Sequence, residues 1–139
     1  MLNIKFISGT RRFVFLIGKY AIKLPKFTDW IAFNAGVREN LEERYWWCSE
    51  GGVREEWPHK NLAEIYWASR RGFVVVMERC AAPTEDQYCK FIAENQYVTP
   101  DSHMANFGVT SEGKVVCIDY GFFGGTKDCY LGFPYHKRK

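Results

Sequence analysis

Residues 101–121 read DSHMANFGVTSEGKVVCIDYG, and the rest of the chain takes its meaning from them. Apolar Phe107-Gly108-Val109 gives way to polar Thr110 to Lys114, then to Val115-Val116-Cys117-Ile118. A connection of three to five residues containing glycine joins paired strands, so Ser111-Glu112-Gly113 is the turn of a hairpin. A hairpin this short brings its two ends together. Asn106, just before it, and Asp119, just after it, land side by side, with Asp101 on the loop leading in. Two oxygen ligands of this kind suit Mg²⁺, a hard cation that completes its shell with substrate phosphates. Asp101 is then left to accept a proton or orient a hydroxyl. The same residue types also serve in plain turns, where they bond their own main chain. The neighbouring stretches decide between the two roles.

Toward the N-terminus, residues 2–24 predict three strands. LNIKFIS is followed by a turn at Gly9-Thr10, FVFLI by a turn at Gly18-Lys19, and YAIKL completes the set. In YAIKL the period of two puts Tyr20, Ile22 and Leu24 on one face and Ala21 with Lys23 on the other. A lysine on the face of a central strand is costly to bury unless it meets an anion; on an edge strand it is merely solvated. Pro25 stops the strand, and Thr28 or Asp29 caps a helix running from Trp30 to about Trp47. Its apolar residues recur at Trp30, Phe33, Val37, Leu41 and Tyr45, which predicts a buried stripe. The helix also carries Glu39, Glu42 and Glu43, either a solvated acidic face or a source of partners for Lys23.

Gly51-Gly52 ends that helix, and 53–60 is a polar loop broken by Pro58. LAEIYWA and FVVVMERC, separated by Ser69-Arg70-Arg71-Gly72, predict a second hairpin. The continuous run Val74 to Met77 is expected of a strand buried on both faces. Glu78-Arg79-Cys80 then breaks the pattern, and Thr84 caps a helix over TEDQYCKFIAENQ, with Glu85 and Asp86 suiting its positive end. Tyr97 to Pro100 leads back to Asp101.

The pattern D-x-H-x-x-N, a strand pair, then I-D-Y-G resembles the catalytic and metal-binding loops of the protein kinase-like superfamily, closest to its aminoglycoside- and small-molecule-kinase branch. Ala21-Ile22-Lys23 resembles the A-x-K strand motif of that family, and the order of elements over residues 12–121 matches its first part. The resemblance implies an α+β fold: a twisted antiparallel sheet with one long helix, plus a short helix and the catalytic-loop hairpin. It implies ATP with Mg²⁺ as cofactors, Ala21 against the adenine, Lys23 on the phosphates and Glu43, or Glu42 beside it, holding Lys23 straight. The backbone at Glu78 would pair with the adenine edge. Asn106 and Asp119 would bind the metal, and Asp101 would position the acceptor. If the site is pre-formed, Asp119 is expected within about 4 Å of Lys23, where opposite charges interact appreciably.

Two departures bear on activity. No G-x-G-x-x-G precedes Lys23, and the 18 residues after Gly121 are too few to build the large helical lobe that binds an acceptor. His103 stands two residues after the aspartate, and Thr99-Pro100 replaces the usual residues before it. The stretches V/A-I-K-x-P, W-x-x-F followed by N-x-x-E, and VVM are similar to those of miniature kinase-like proteins of phages and prophages. That similarity implies either an ATP-dependent phosphotransferase or a pseudokinase-type binding module acting on a bacterial host protein.

At 139 residues the chain is expected to form a single domain, with 1–80 as a sheet-and-helix half and 81–139 as a reduced second half. A net charge of +3 without a continuous basic face argues against nucleic acid; the terminal HKRK is a solvated end. No apolar run nears the roughly 20 residues a membrane span needs, and no leader is evident. The five cysteines are odd in number and form no C-x-x-C, so free thiols and a cytoplasmic location are expected. Aromatics at 17% suggest a core or a partner surface built on large rings.

Overall fold

The structure, a computed structural model, describes residues 3–48, 61–95 and 104–120. Asp101, His103, the Gly51-Gly52 helix stop, the 53–60 loop and the HKRK tail lie outside the described residues.

Three strands open the chain: β1 (Ile4–Ser8), β2 (Arg12–Ile17) and β3 (Tyr20–Pro25). The two turns between them use the residues expected. Gly9 N–H donates to the Arg12 carbonyl at 2.9 Å, and Gly18 adopts a positive φ of 56°, which costs glycine little. Helix α1 (Trp30–Cys48) starts at Asp29, whose Oδ1 accepts the Ala32 N–H at 2.8 Å. Next come β4 (Ile65–Ala68) and β5 (Val75–Glu78), then α2 (Glu85–Asn95). Thr84 and Gln87 form a reciprocal cap on α2: Thr84 Oγ1 accepts the Gln87 N–H at 3.1 Å, and Gln87 Oε1 accepts the Thr84 N–H at 2.8 Å. A single 3₁₀ turn (Met104–Asn106) leads into the hairpin β6 (Phe107–Val109) and β7 (Val115–Cys117), closed by Gly113 at φ 82°.

The chain is thus α+β. Its five-stranded sheet is antiparallel throughout, in the order β1-β2-β3-β5-β4, with α1 entering between β3 and β4 in sequence. The hairpin β6–β7 stands apart from this sheet but is stitched to the chain by two bridges, Leu62 to Cys117 and Ala81 to Val109. The core lies on the side of Val75 and Met77, where Trp46, Ile65, Phe91, Phe107, Val116 and Tyr120 meet. Val76 and Val74, on the opposite side, are only half-buried. The run 74–77 is therefore covered on one face, not both as expected, because the core and the hairpin share the Val75–Met77 side.

The second correction concerns α1. Its expected buried stripe is not the face that packs: Trp30 is 72% exposed, and Phe33, Val37 and Leu41 are half-buried. The buried residues are Gly36, Glu39, Asn40, Glu42, Glu43 and Trp46. The cause is the charge on the sheet. Arg12 and Lys23 point at α1, so its carboxylates gain more from turning inward than its rings do. Gly36 permits the close approach, since a Cβ there would overlap the Arg11 carbonyl oxygen and Pro25 Cα.

Candidate functional site: a cleft with a buried charge cluster

Alternation along β3 buries Ala21 and Lys23 beneath the sheet while Tyr20, Ile22 and Leu24 face out or lie half-buried, as expected. The Lys23 ammonium, in a residue only 5% exposed, bonds Glu43 Oε2 at 2.9 Å and the Ile118 carbonyl at 2.5 Å. Glu43, 0% exposed, is the α1 carboxylate that meets Lys23. Glu42 is buried as well, but its carboxylate does not pair with Lys23.

The expected pair between Asp119 and Lys23 does not form. Asp119 Oδ1 accepts from Arg12 Nη2 at 2.9 Å instead. Arg12 enters from the start of β2 and also binds Asn40 Oδ1 at 2.8 Å and both Glu43 oxygens, at 2.7 and 3.1 Å. Its Nε faces Glu39 Oε1 at 3.3 Å, and Arg11 Nη1 holds the other Glu39 oxygen at 2.8 Å. Arg11, Arg12 and Lys23 thus balance Glu39, Glu43 and Asp119, three cations against three carboxylates.

This cluster shifts its own acidities. Burial on its own would raise the Glu43 pKa, but Arg12 and then Lys23 outweigh it and hold the carboxyl at about 2. For Arg12, burial opposes the charge, yet Glu43 and Asp119 prevail and its pKa rises above the ordinary value. Glu39 moves up, because burial, helped by Asp119, exceeds the pull of Arg12 and Arg11.

In front of the cluster opens a cleft of about 740 Å³. Val14, Leu16, Ala21, Met77, Phe107 and Ile118 give it an apolar lining. Gly9 to Arg11 of the β1–β2 turn, Glu78 and Cys80 to Pro83 line it as well. Lys23, Asn106 and Asp119 all line this one cleft, as do Ala21 and Glu78; Asp101 lies outside the described residues. Next to Glu78, Arg79 N–H donates to the Lys19 carbonyl, and Ala81 exchanges both backbone bonds with Val109. The Cys80 N–H has no acceptor among the described residues. Glu78 Oε1 accepts the Glu64 N–H at 2.9 Å, so this carboxylate buttresses the start of β4. Burial, with Glu78 adding to it, pushes the Cys80 thiol up to about 12, so it stays neutral. The cleft thus combines an apolar lining with a charge-balanced cluster.

Arg12 was not among the residues the sequence singled out. A signal for it exists: Arg12, Val14 and Leu16 alternate with Phe13, Phe15 and Ile17, so Arg12 shares the face of Val14 and Leu16. No family model, curated protein or solved structure matches this chain.

Proposed function

We propose that this chain is a reduced protein kinase-like domain, of phage or prophage type, working as a pseudokinase-like binding module: it holds a nucleotide in its cleft and docks on a bacterial host protein. The observation that carries the docking role is the ring surface left open around α1. Phe27, Trp30 and Ile31 are exposed, Ile31 at 81%. Trp30 stacks on Phe33 at 5.9 Å, and Phe33 continues to Phe73 at 6.1 Å. Phe27 extends through Phe13 to Phe6, with centroids 5.2 and 5.3 Å apart. Large exposed rings gathered like this are the material of interface hot spots. The kinase-like reading draws support from the strand order, from α1 following β3, and from the Lys23–Glu43 pair.

A second reading, an ATP·Mg²⁺-dependent phosphotransferase, is favoured by one observation: Lys23, Asn106 and Asp119 line the same cleft. In it Lys23 would hold phosphates, Asn106 and Asp119 would hold the metal that neutralises developing charge, and Asp101 would orient the acceptor hydroxyl. The test pairs two sets of variants in a bacterial host expressing the protein. Phe27→Ala with Trp30→Ala is expected to abolish the host effect at unchanged melting temperature, while Asp119→Asn and Lys23→Ala retain it. No labelled phosphate is expected on the protein or on captured host proteins. Transfer of label from ATP that vanishes in folded Asp119→Asn overturns the binding-module reading in favour of the enzyme.

A further inference from the structure

A guanidinium has five N–H donors. In Arg12, Nη1 donates to Asn40 Oδ1 at 2.8 Å and Glu43 Oε1 at 2.7 Å, and Nη2 to Glu43 Oε2 at 3.1 Å and Asp119 Oδ1 at 2.9 Å. Nε faces Glu39 Oε1 at 3.3 Å. Glu39, Asn40 and Glu43 all stand on α1 and are buried, so the guanidinium is anchored to that helix. Asp119, its side chain 31% exposed, is the most exposed of these partners and the one outside α1. A divalent cation at Asp119 would share that carboxylate with a fixed positive charge a few ångströms away. Like charges at such range repel strongly where water is scarce. Arg12 therefore competes with a divalent cation for Asp119, with Glu39 and Glu43 offsetting part of its charge.

We propose that Arg12 stands in for a divalent cation at Asp119, so that the cleft takes the phosphate end of a nucleotide without metal. This rests on the nucleotide reading of the cleft given above. Lys23 and Arg12 form a fixed cationic pair set on Glu43. An entering phosphate oxygen displaces Asp119 Oδ1 from Nη2 and accepts that donor, one anion replacing another on a charge-assisted bond. The step is binding alone; no covalent bond forms or breaks.

Isothermal titration of the full chain with ATP, once in EDTA and once in Mg²⁺, tests this. The parent is expected to give dissociation constants that agree within about twofold in the two buffers. Asp119→Asn removes the carboxylate that competes for Nη2, so ATP in EDTA is expected to bind about threefold tighter or more. Arg12→Gln is expected to weaken binding in EDTA about tenfold or more, with Mg²⁺ restoring part of the loss. Should Arg12→Gln fail to fold by circular dichroism, Arg12→Lys, which keeps the charge without the planar fork, replaces it. Parent binding that is about tenfold tighter in Mg²⁺ overturns the metal-free site yet leaves the nucleotide reading standing. Weaker binding of ATP in EDTA by Asp119→Asn, or binding unchanged by Arg12 substitution, also overturns it. Absence of ATP binding in both buffers overturns the nucleotide reading and the metal-free site together.

Discussion

Glu43 is the residue on which two cations converge, and its protonation is a stability matter. Its pKa of about 2 lies below the ordinary 4.5, so the unfolded chain takes up that proton first. The stabilisation is complete above pH about 4.5 and is lost as pH falls toward about 2. Glu39, raised in the folded chain, acts in the opposite sense and offsets part of that loss on acidification. Urea midpoints measured against pH should therefore drop in acid for the parent, drop less for Glu43→Gln and drop sooner for Glu39→Gln. Glu43→Ala leaves Arg12 and Lys23 facing each other in a dry site and is expected to cost about 3–5 kcal/mol in urea unfolding at neutral pH. At this scale the Lys23–Glu43 pair was legible only through the resemblance; the residues alone left Lys23 open to an edge strand and Glu39, Glu42 and Glu43 open to a solvated face. Arg12 was not singled out, because the alternation that sets it on the face of Val14 and Leu16 does not tell what an arginine there meets until its partners, Glu43 and Asp119, are known to be near.

Elements were easier to place than their faces. Turn chemistry at 9–10, 18–19 and 111–113 and caps at Asp29 and Thr84 set the boundaries of the strands and helices. The inward face of α1 was misjudged because a helix's own apolar spacing does not report the charge of the surface it meets. Trp30→Ala should accordingly change unfolding free energy by less than about 0.5 kcal/mol, as for an exposed position. Leu41→Ala, half-buried, should cost about 1–2 kcal/mol, less than a fully buried leucine does. Gly36→Ala should cost about 1–3 kcal/mol, since its Cβ would push α1 off the Arg11–Pro25 backbone. Each is checked by denaturant unfolding, and a large loss from Trp30→Ala would show that the ring packs inward.

Across the molecule, order should fall from the core side of the sheet to its β1 edge. Every residue of β1 is exposed, whereas Val75 and Met77 of β5 are buried on the core side. Amide exchange should be fastest in 4–8 and slowest in 75–77 and 116–117, in keeping with local opening where few apolar contacts hold the backbone. Fast exchange at Val75 under native conditions would contradict this arrangement. The two hairpins were legible from alternation and turns, the helices from apolar spacing and caps, and the α+β class from these together with the resemblance. What alternation could not supply was the long-range stitching, Leu62 to Cys117 and Ala81 to Val109, which depends on chain segments distant in sequence.

Tyr120 closes the core from late in the chain. Its ring is fully buried, its hydroxyl donates to the Ala63 carbonyl at 3.1 Å, and its N–H donates to Glu43 Oε2 at 3.2 Å. Asp119 beside it reaches back 107 positions to Arg12. A ribosome that has released β1 through α2 has therefore delivered the whole five-stranded sheet but neither the side chain that plugs its core nor the last anion of its charge cluster. Contacts so distant in sequence form late and slowly. Translation past residue 120 is accordingly the event that commits the nascent chain, and fragments stalled before it should be the ones that proteases clear.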